Sequence, residues 1–281
     1  MKKRKVEVVV ISDVHLGTFG CRAKELYRYL KSIQPKTLVL NGDIVDIWQF
    51  RKRYFPKSHL KVIKQIISMA SKGTQVHYLT GNHDEMLRKF SDASFGNIHL
   101  QDKLILNLGD KKAWIFHGDI FDASIQSAKW IAKLGGWGYD LLITINSFSN
   151  WCLEKIGRER FSFSKMIKNS VKKAVKYITD FEDTAAELAV DQGFDFVICG
   201  HIHQPEMLEV KTKNGSCVYL NSGDWIENLT ALEYNKGSWQ MYHYEKEDDD
   251  EKDDDENLND LNIQRLIKKV TDHKSEHEQS A

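Results

Sequence analysis

Five short motifs carry the side chains best suited to chemistry. They are Asp13-Val14-His15, Gly42-Asp43, Gly81-Asn82-His83-Asp84, His117-Gly118-Asp119 and Gly200-His201-Ile202-His203. Their donor atoms are carboxylate oxygen, imidazole nitrogen and amide oxygen. That set suits manganese, iron, zinc or magnesium, and no thiolate competes. An Asp can bridge two cations, because each of its oxygens keeps a lone pair to offer. Glycines flank several of these residues, where they allow sharp turns and close approach of backbone to a ligand. A single Asp-x-His arises often by chance, and a lone buried His is usually a satisfied core group. Five motifs in order, each behind an apolar run, point instead to a metal site.

Residues so far apart in sequence meet only if a scaffold gathers them. Val8 to Ile11, Thr37 to Leu40, Gln75 to Leu79, Lys112 to Phe116 and Phe194 to Cys199 read as buried strands. Between them, Lys24 to Ile33 puts Leu26, Tyr29, Leu30 and Ile33 on one helical face. Leu60 to Ala70 does the same with Ile63, Ile66, Ile67 and Ala70. This alternation predicts an α/β core. Cys217 to Leu220, Leu229 to Tyr234 and Ser238 to Tyr244 read as strands with no helix between, which predicts an antiparallel ending. Each motif follows a strand. Ligand sites in open α/β sheets lie beyond the carboxyl ends of strands, so placement and chemistry agree.

The length of 281 residues allows one large α/β domain or two small ones. Lys plus Arg is 40 and Asp plus Glu is 40, so net charge gives no reason to expect nucleic acid as a partner. The acidic run from Glu245 to Asp260 leaves the rest basic on average, which suits an anionic substrate or membrane surface. Four cysteines without a Cys-x-x-Cys pair predict reduced thiols of a cytosolic protein rather than a disulfide framework. The apolar run behind the basic start is broken by Glu7 and reads as a strand, not a signal peptide. No apolar run reaches the roughly 18 residues that a transmembrane helix needs.

The domain expected from these signals covers residues 1–246, with a helical insertion over 120–190. The insertion is aromatic and aliphatic from Trp130 to Trp151 and basic from Arg158 to Lys176. It could be a lid, a helical hairpin packed on itself, or a dimer surface. Residues 247–281 form an acidic tail that should be disordered, with a short amphipathic helix over Leu258 to Val270.

In order and spacing the five motifs resemble those of the calcineurin-like metallophosphoesterases, from about residue 6 to residue 244. The resemblance implies a four-layered α/β sandwich, two mixed β-sheets flanked by helices, with a dinuclear site at one end. It implies that Asp13, His15, Asp43 and His203 hold one divalent cation, and that Asp43, Asn82, His117 and His201 hold the other. Manganese leads as the metal, with iron, zinc and magnesium as alternatives. His83 is not a ligand in that pattern. It would contact phosphate and assist the leaving group, with Asp84 orienting it, while the attacking hydroxide would bridge the two cations. Asp84 also reads as an N-cap for a helix over Glu85 to Phe90.

Gly42-Asp43-Ile44-Val45-Asp46-Ile47-Trp48 is similar to the corresponding segment of UDP-2,3-diacylglucosamine diphosphatases, which make lipid X on the route to lipid A. Those enzymes also carry a helical lid in the place of the insertion. The resemblance implies hydrolysis of the substrate diphosphate to lipid X and UMP, at the cytoplasmic face of the inner membrane. Asp46, Trp48 and Asp122, with Arg158, Arg160, Lys165 and Lys168 of the basic stretch, are the expected substrate contacts. One position departs: this chain has His83 where the proteobacterial diphosphatases have Arg. A soluble phosphodiesterase or phosphatase for another nucleotide or phospholipid-like substrate is the alternative, and a scaffold without catalysis is a third reading. Asn221 to Asp224 could line the pocket or form a turn. His59, His77, His99, His243, His273 and His277 receive no role.

Overall fold

The computed structural model describes residues 3–47, 55–123 and 163–245, with only the backbone of 122–123 and 163–173. Trp48, Arg158, Arg160, the stretch Trp130 to Trp151 and the acidic tail lie outside the described residues. No described helix is long and apolar enough to cross a membrane.

Among the described residues, twelve strands form two mixed sheets. The first contains β1 (Arg4–Ile11), β2 (Ile33–Asn41), β3 (Gln75–Leu79), β4 (Ser94–Phe95), β5 (Ile98–Gln101), β11 (Thr230–Asn235) and β12 (Ser238–His243), in the order β12-β11-β1-β2-β3-β5-β4. The second contains β6 (Lys103–Leu108), β7 (Lys111–Phe116), β8 (Phe196–Cys199), β9 (Glu206–Thr212) and β10 (Gly215–Asn221), in the order β6-β7-β8-β10-β9. Strands β1, β2, β3 and β5 run parallel, as do β7, β8 and β10. The remaining neighbours are antiparallel.

Alternation of side chains along each strand builds the layers. Val9 and Ile11 of β1 face α1 (Ala23–Ser32) and α2 (Lys57–Ser71), where Leu26, Leu30, Val62 and Ile66 complete one core. Val8 and Val10 face the other way and meet Ala113, Ile115, Phe196 and Ile198 of the second sheet. The intervening residues of those strands, Trp114, Phe116, Val197 and Cys199, face outward onto Phe181, Ala185, Ala186 and Ala189. These belong to α3 (Phe163–Asp191). The result is helix, sheet, sheet, helix: the four-layered sandwich expected from the sequence.

Helix α3 refines the picture of the insertion. From Phe181 to Ala189 it is the outer helical layer itself, with small alanines letting it lie close on the second sheet. Lys165 and Lys168 sit on the backbone of its first turns, and Asp122 on the short 3-10 turn Asp119–Ala123.

Candidate metal centre

The ligand-bearing motifs sit at the carboxyl ends of parallel strands. Asp13 and His15 follow β1, Asp43 follows β2, Asn82 to Asp84 follow β3, His117 follows β7, and His201 and His203 follow β8. Both sheets present these ends to one place. The loops are knitted by their backbones: Val14 and His15 N–H groups donate to the Asp43 carbonyl at 3.0 and 2.9 Å. Across the sheets, the Asn41 side chain donates to the Phe116 carbonyl at 3.2 Å, and the His201 N–H donates to Asp13 Oδ2 at 3.0 Å.

The backbone at the site is strained. Asp13, His15, Asp43, His201 and His203 all have positive φ, between 51° and 69°. Such a conformation costs a non-glycine residue roughly 1–2 kcal/mol. It persists where the surroundings over-determine it, and such positions concentrate at functional sites. Eight described non-glycine residues have positive φ, and these are five of them. The loops therefore spend stability on aiming these side chains.

The glycines answer to close approach. A Cβ on Gly81 would fall onto the carboxylate and the amide nitrogen of Asp43, and one on Gly42 would overlap the His117 ring. Gly81→Ala is expected to displace Asp43, lowering stability by about 1–3 kcal/mol and weakening metal binding. Chemical denaturation with and without added divalent metal checks both effects; an unchanged midpoint in both conditions would contradict the geometry.

The donors converge. Among the described residues, three groups have ligand atoms lying within 4.8 Å of one another: Asp13, His15 and His203; His15, Asp43 and His83; and Asp43, His117 and His201. His203 Nε2 is 3.2 Å from Asp13 Oδ1, and His117 Nε2 is 3.4 Å from Asp43 Oδ2. His15 Nε2 lies 3.9 Å from the same Asp43 oxygen, so Asp43 stands between the outer groups.

The hydrogen bonds leave these atoms over. Asp13 Oδ1, His15 Nε2, Asn82 Oδ1 and His117 Nε2 are buried without a hydrogen-bond partner. A buried polar atom left unpaired costs about 1–3 kcal/mol, so four together at one point need a use. The tautomer of His117 sharpens this. Its Nδ1 lies 2.8 Å from the Asn41 carbonyl and must donate to it, so Nε2 is the ring nitrogen turned to the Asp43 carboxylate. Without a proton between them these two atoms repel, and either a proton or a metal cation satisfies both. A ring nitrogen fixed by a backbone carbonyl is the usual support for a metal-binding His. The residues thus fit divalent cations.

The electrostatics agree. Burial would raise the Asp13 carboxyl, but His203 and His117 outweigh it and hold it down at about 2. Burial likewise opposes ionisation of Asp43, and His117, His15 and His83 pull it well below the usual range. Burial pushes the His117 imidazolium down, yet Asp43, Asp13 and Asp119 lift it to about 10. Carboxylates stay ionised in a dry place, and positive charge is favoured beside them.

His83 reaches this centre from its rim, with Nε2 4.0 Å from Asp43 Oδ2. Its Nδ1 is 3.1 Å from Asp46 Oδ2, and that hydrogen bond, against burial and with help from Asp43, raises the His83 pKa. This corrects the expected pairing: Asp46 orients His83, and Asp84 does not touch it. Asp84 instead accepts from the Gly81 N–H at 2.6 Å, the Ile44 N–H at 3.0 Å and the Tyr78 hydroxyl at 2.6 Å. Its side chain is spent on bracing the β2 and β3 loops, so it gives no cap to Glu85–Phe90, which is a 3-10 turn. Asp46 is also buried and lies 3.9 Å from His15 Nδ1, a place for an internal brace. Asn221 ends β10 and Ser222 to Asp224 link it to the turn that follows: Asp224 Oδ1 accepts the Ile226 and Glu227 N–H groups, and Asn221 donates to the Gly200 carbonyl. Sequence reasoning missed Ser12 and Asn41, which tie the sheets below the ligands. Their only signal was adjacency to a motif.

A family model for calcineurin-like phosphoesterase matches residues 6–205, which contain every one of these motifs. The chain belongs to the calcineurin-like phosphoesterase family. As a member it is a metal-dependent phosphoester hydrolase. Among curated proteins, it is 22% identical over 248 residues to a UDP-2,3-diacylglucosamine hydrolase of Aliivibrio fischeri (strain MJ11), covering 85% of this chain and 98% of that protein. It is 24% identical over 238 residues to the protein of that name from Blochmanniella pennsylvanica (strain BPEN), covering 82% and 93%. Among solved structures, an archaeal phosphodiesterase matches with a TM-score of 0.40 at 13% identity, over 84% of this chain and 98% of that one.

Proposed function

We propose that this phosphoesterase holds two divalent cations, manganese in the first instance, and hydrolyses the diphosphate of UDP-2,3-diacylglucosamine to lipid X and UMP. Asp13, His15, Asp43 and His203 would hold one cation, and Asp43, Asn82, His117 and His201 the other. The observation that carries the dinuclear reading is the set of four orphaned buried donor atoms arranged on either side of Asp43. When bound, such cations would supply Lewis acidity, acidifying water and screening the charge of the phosphate.

The protein's own groups do the rest. Asp43 faces both donor groups through one carboxylate and takes the His83 N–H on its Oδ1 at 2.8 Å. His83 is partly exposed at the rim, and its Nε2 would deliver a proton to the departing oxygen. Asp46 holds the opposite ring nitrogen, which fixes the ring's orientation. Asp84 keeps the two loops in register. The substrate reading is supported by the curated relatives, whose printed name is that activity and whose length this chain nearly spans. Asp122, Lys165 and Lys168, and outside the described residues Trp48, Arg158 and Arg160, remain the proposed substrate contacts. A substrate bearing acyl chains would bring the enzyme to the surface of the inner membrane.

His83 in place of Arg favours one second reading, a phosphodiesterase for a simpler substrate. Turnover of the long-acyl UDP-sugar and of a simple aryl phosphodiester separates the two. For the lipid reading, kcat/KM is expected to favour the UDP-sugar by about a hundredfold or more, the equivalent of roughly 2.7 kcal/mol of differential transition-state binding. Equal values would assign the site to simpler diesters.

A further inference from the structure

The loop that carries His15 is held from outside the site by His59. This residue lies in the first turn of α2 and is 2% exposed. Its Nδ1 is 2.9 Å from the Gly17 nitrogen. An N–H can only donate, so Nδ1 is the acceptor and the ring proton sits on Nε2. Burial pushes the imidazolium down to about 4, which keeps the ring neutral and that lone pair available. Phe55 meets the ring edge-on at 5.4 Å between centroids.

Gly17 is the third residue of a tight turn from His15 to Thr18. The His15 carbonyl accepts both the N–H and the hydroxyl of Thr18, at 3.1 and 2.9 Å. Leu16 exchanges backbone hydrogen bonds with the Asp43 loop, donating to the Ile44 carbonyl and accepting from the Asp46 N–H, each at 2.9 Å. The same short segment therefore touches the loops of His15, Asp43 and Asp46. Its outer end, at Gly17 with φ 106°, hangs on the His59 ring. An apolar side chain would fill this spot without the penalty of burying an imidazole. The ring supplies the acceptor that such a side chain would lack.

We infer that His59 is a positioning residue: its Nδ1, by accepting the Gly17 N–H, fixes the turn that aims His15 into the metal centre. The inference rests on the reading of His15 as a metal ligand. It assigns a role to a histidine that lies outside every motif.

Three variants test it. Asn places its amide oxygen where Nδ1 stands, Gln places it near Nε2, and Leu supplies no acceptor. Metal equivalents per chain at limiting manganese, exchange of the Gly17 amide in chelated protein, and steady-state kinetics are measured on each. His59→Leu should speed Gly17 exchange and weaken one of two metal equivalents by about 10–100-fold, the usual size of a supporting-residue effect. kcat should fall with KM little changed. His59→Asn should restore all three properties, and His59→Gln should not. Parent-like exchange and metal binding in His59→Leu, or equal rescue by Gln and Asn, would overturn the inference. If His59→Leu does not fold, the contrast of Asn with Gln decides alone. A parent protein that binds no divalent metal would defeat the functional reading instead, while Gly17 exchange would still report on His59.

Discussion

Asp43→Ala is expected to remove both cations and turnover together. One carboxylate serves two donor groups: Oδ2 lies 3.4 Å from His117 Nε2 and 3.9 Å from His15 Nε2, which belong to different clusters. Any other ligand is proposed to serve one cation, so its loss should leave a half-loaded protein. Loss of Asp43 also frees the His83 N–H, which donates to Oδ1. Removing one preorganised group from a reaction centre costs about 10²–10³-fold in rate, and a shared ligand should exceed that. The stability readout is independent of activity. Manganese at about a hundred times its Kd should stabilise the parent by about 2.7 kcal/mol, and the variant by nothing measurable. Asp43→Asn keeps the shape while removing the charge, and should behave as Asp43→Ala if charge is what matters. A variant that still gains its full metal-dependent stabilisation would show that Asp43 does not bridge.

Much of this centre was legible before any coordinates, because its chemistry is written in residue type and its placement in strand ends. The apolar runs Val8 to Ile11 and Thr37 to Leu40 mark strands buried on both faces, and β1 and β2 contain them. Strands of another kind gave weaker signals. β4 has two residues, and β9 is an edge strand whose exposed Met207, Leu208 and Glu209 show no apolar face. The C-terminal signals predict one antiparallel ending, yet β10 joins the second sheet parallel to β8, while β11 pairs with β1 and β12 with β11. Sequence neighbours say little about which of two sheets a strand joins.

The contacts between motifs were the other hidden layer. Asp84 follows His83 directly, so adjacency suggested a pair. Yet neighbours on a turn point apart, and the partner that reaches the ring, Asp46, comes from a different loop. His59 had no signal at all, since its acceptor meets a backbone N–H, which every non-proline residue has. What a sequence shows least is where side chains serve backbone.

His83→Ala separates leaving-group chemistry from metal binding. The ring lies at the rim of the centre, partly exposed, and Asp46 holds it by Nδ1 at 3.1 Å. kcat should fall by about 10²–10⁴-fold, the range of general acid catalysis, with close to two metal equivalents retained. The geometry also contains a rival: His83, His15 and Asp43 form a donor group of their own. If His83 were a ligand, its loss would take a cation with it, and metal analysis distinguishes the two outcomes directly. Asp46→Asn acts through the ring, because the amide keeps the shape but gives up the charge that orients and favours the imidazolium. It should lower kcat by less than His83→Ala. The double variant should be no slower than His83→Ala alone, since a residue that works only through a ring has nothing left to do once the ring is gone. Additive losses would mean that Asp46 meets substrate in its own right, the role that the resemblance implies for it.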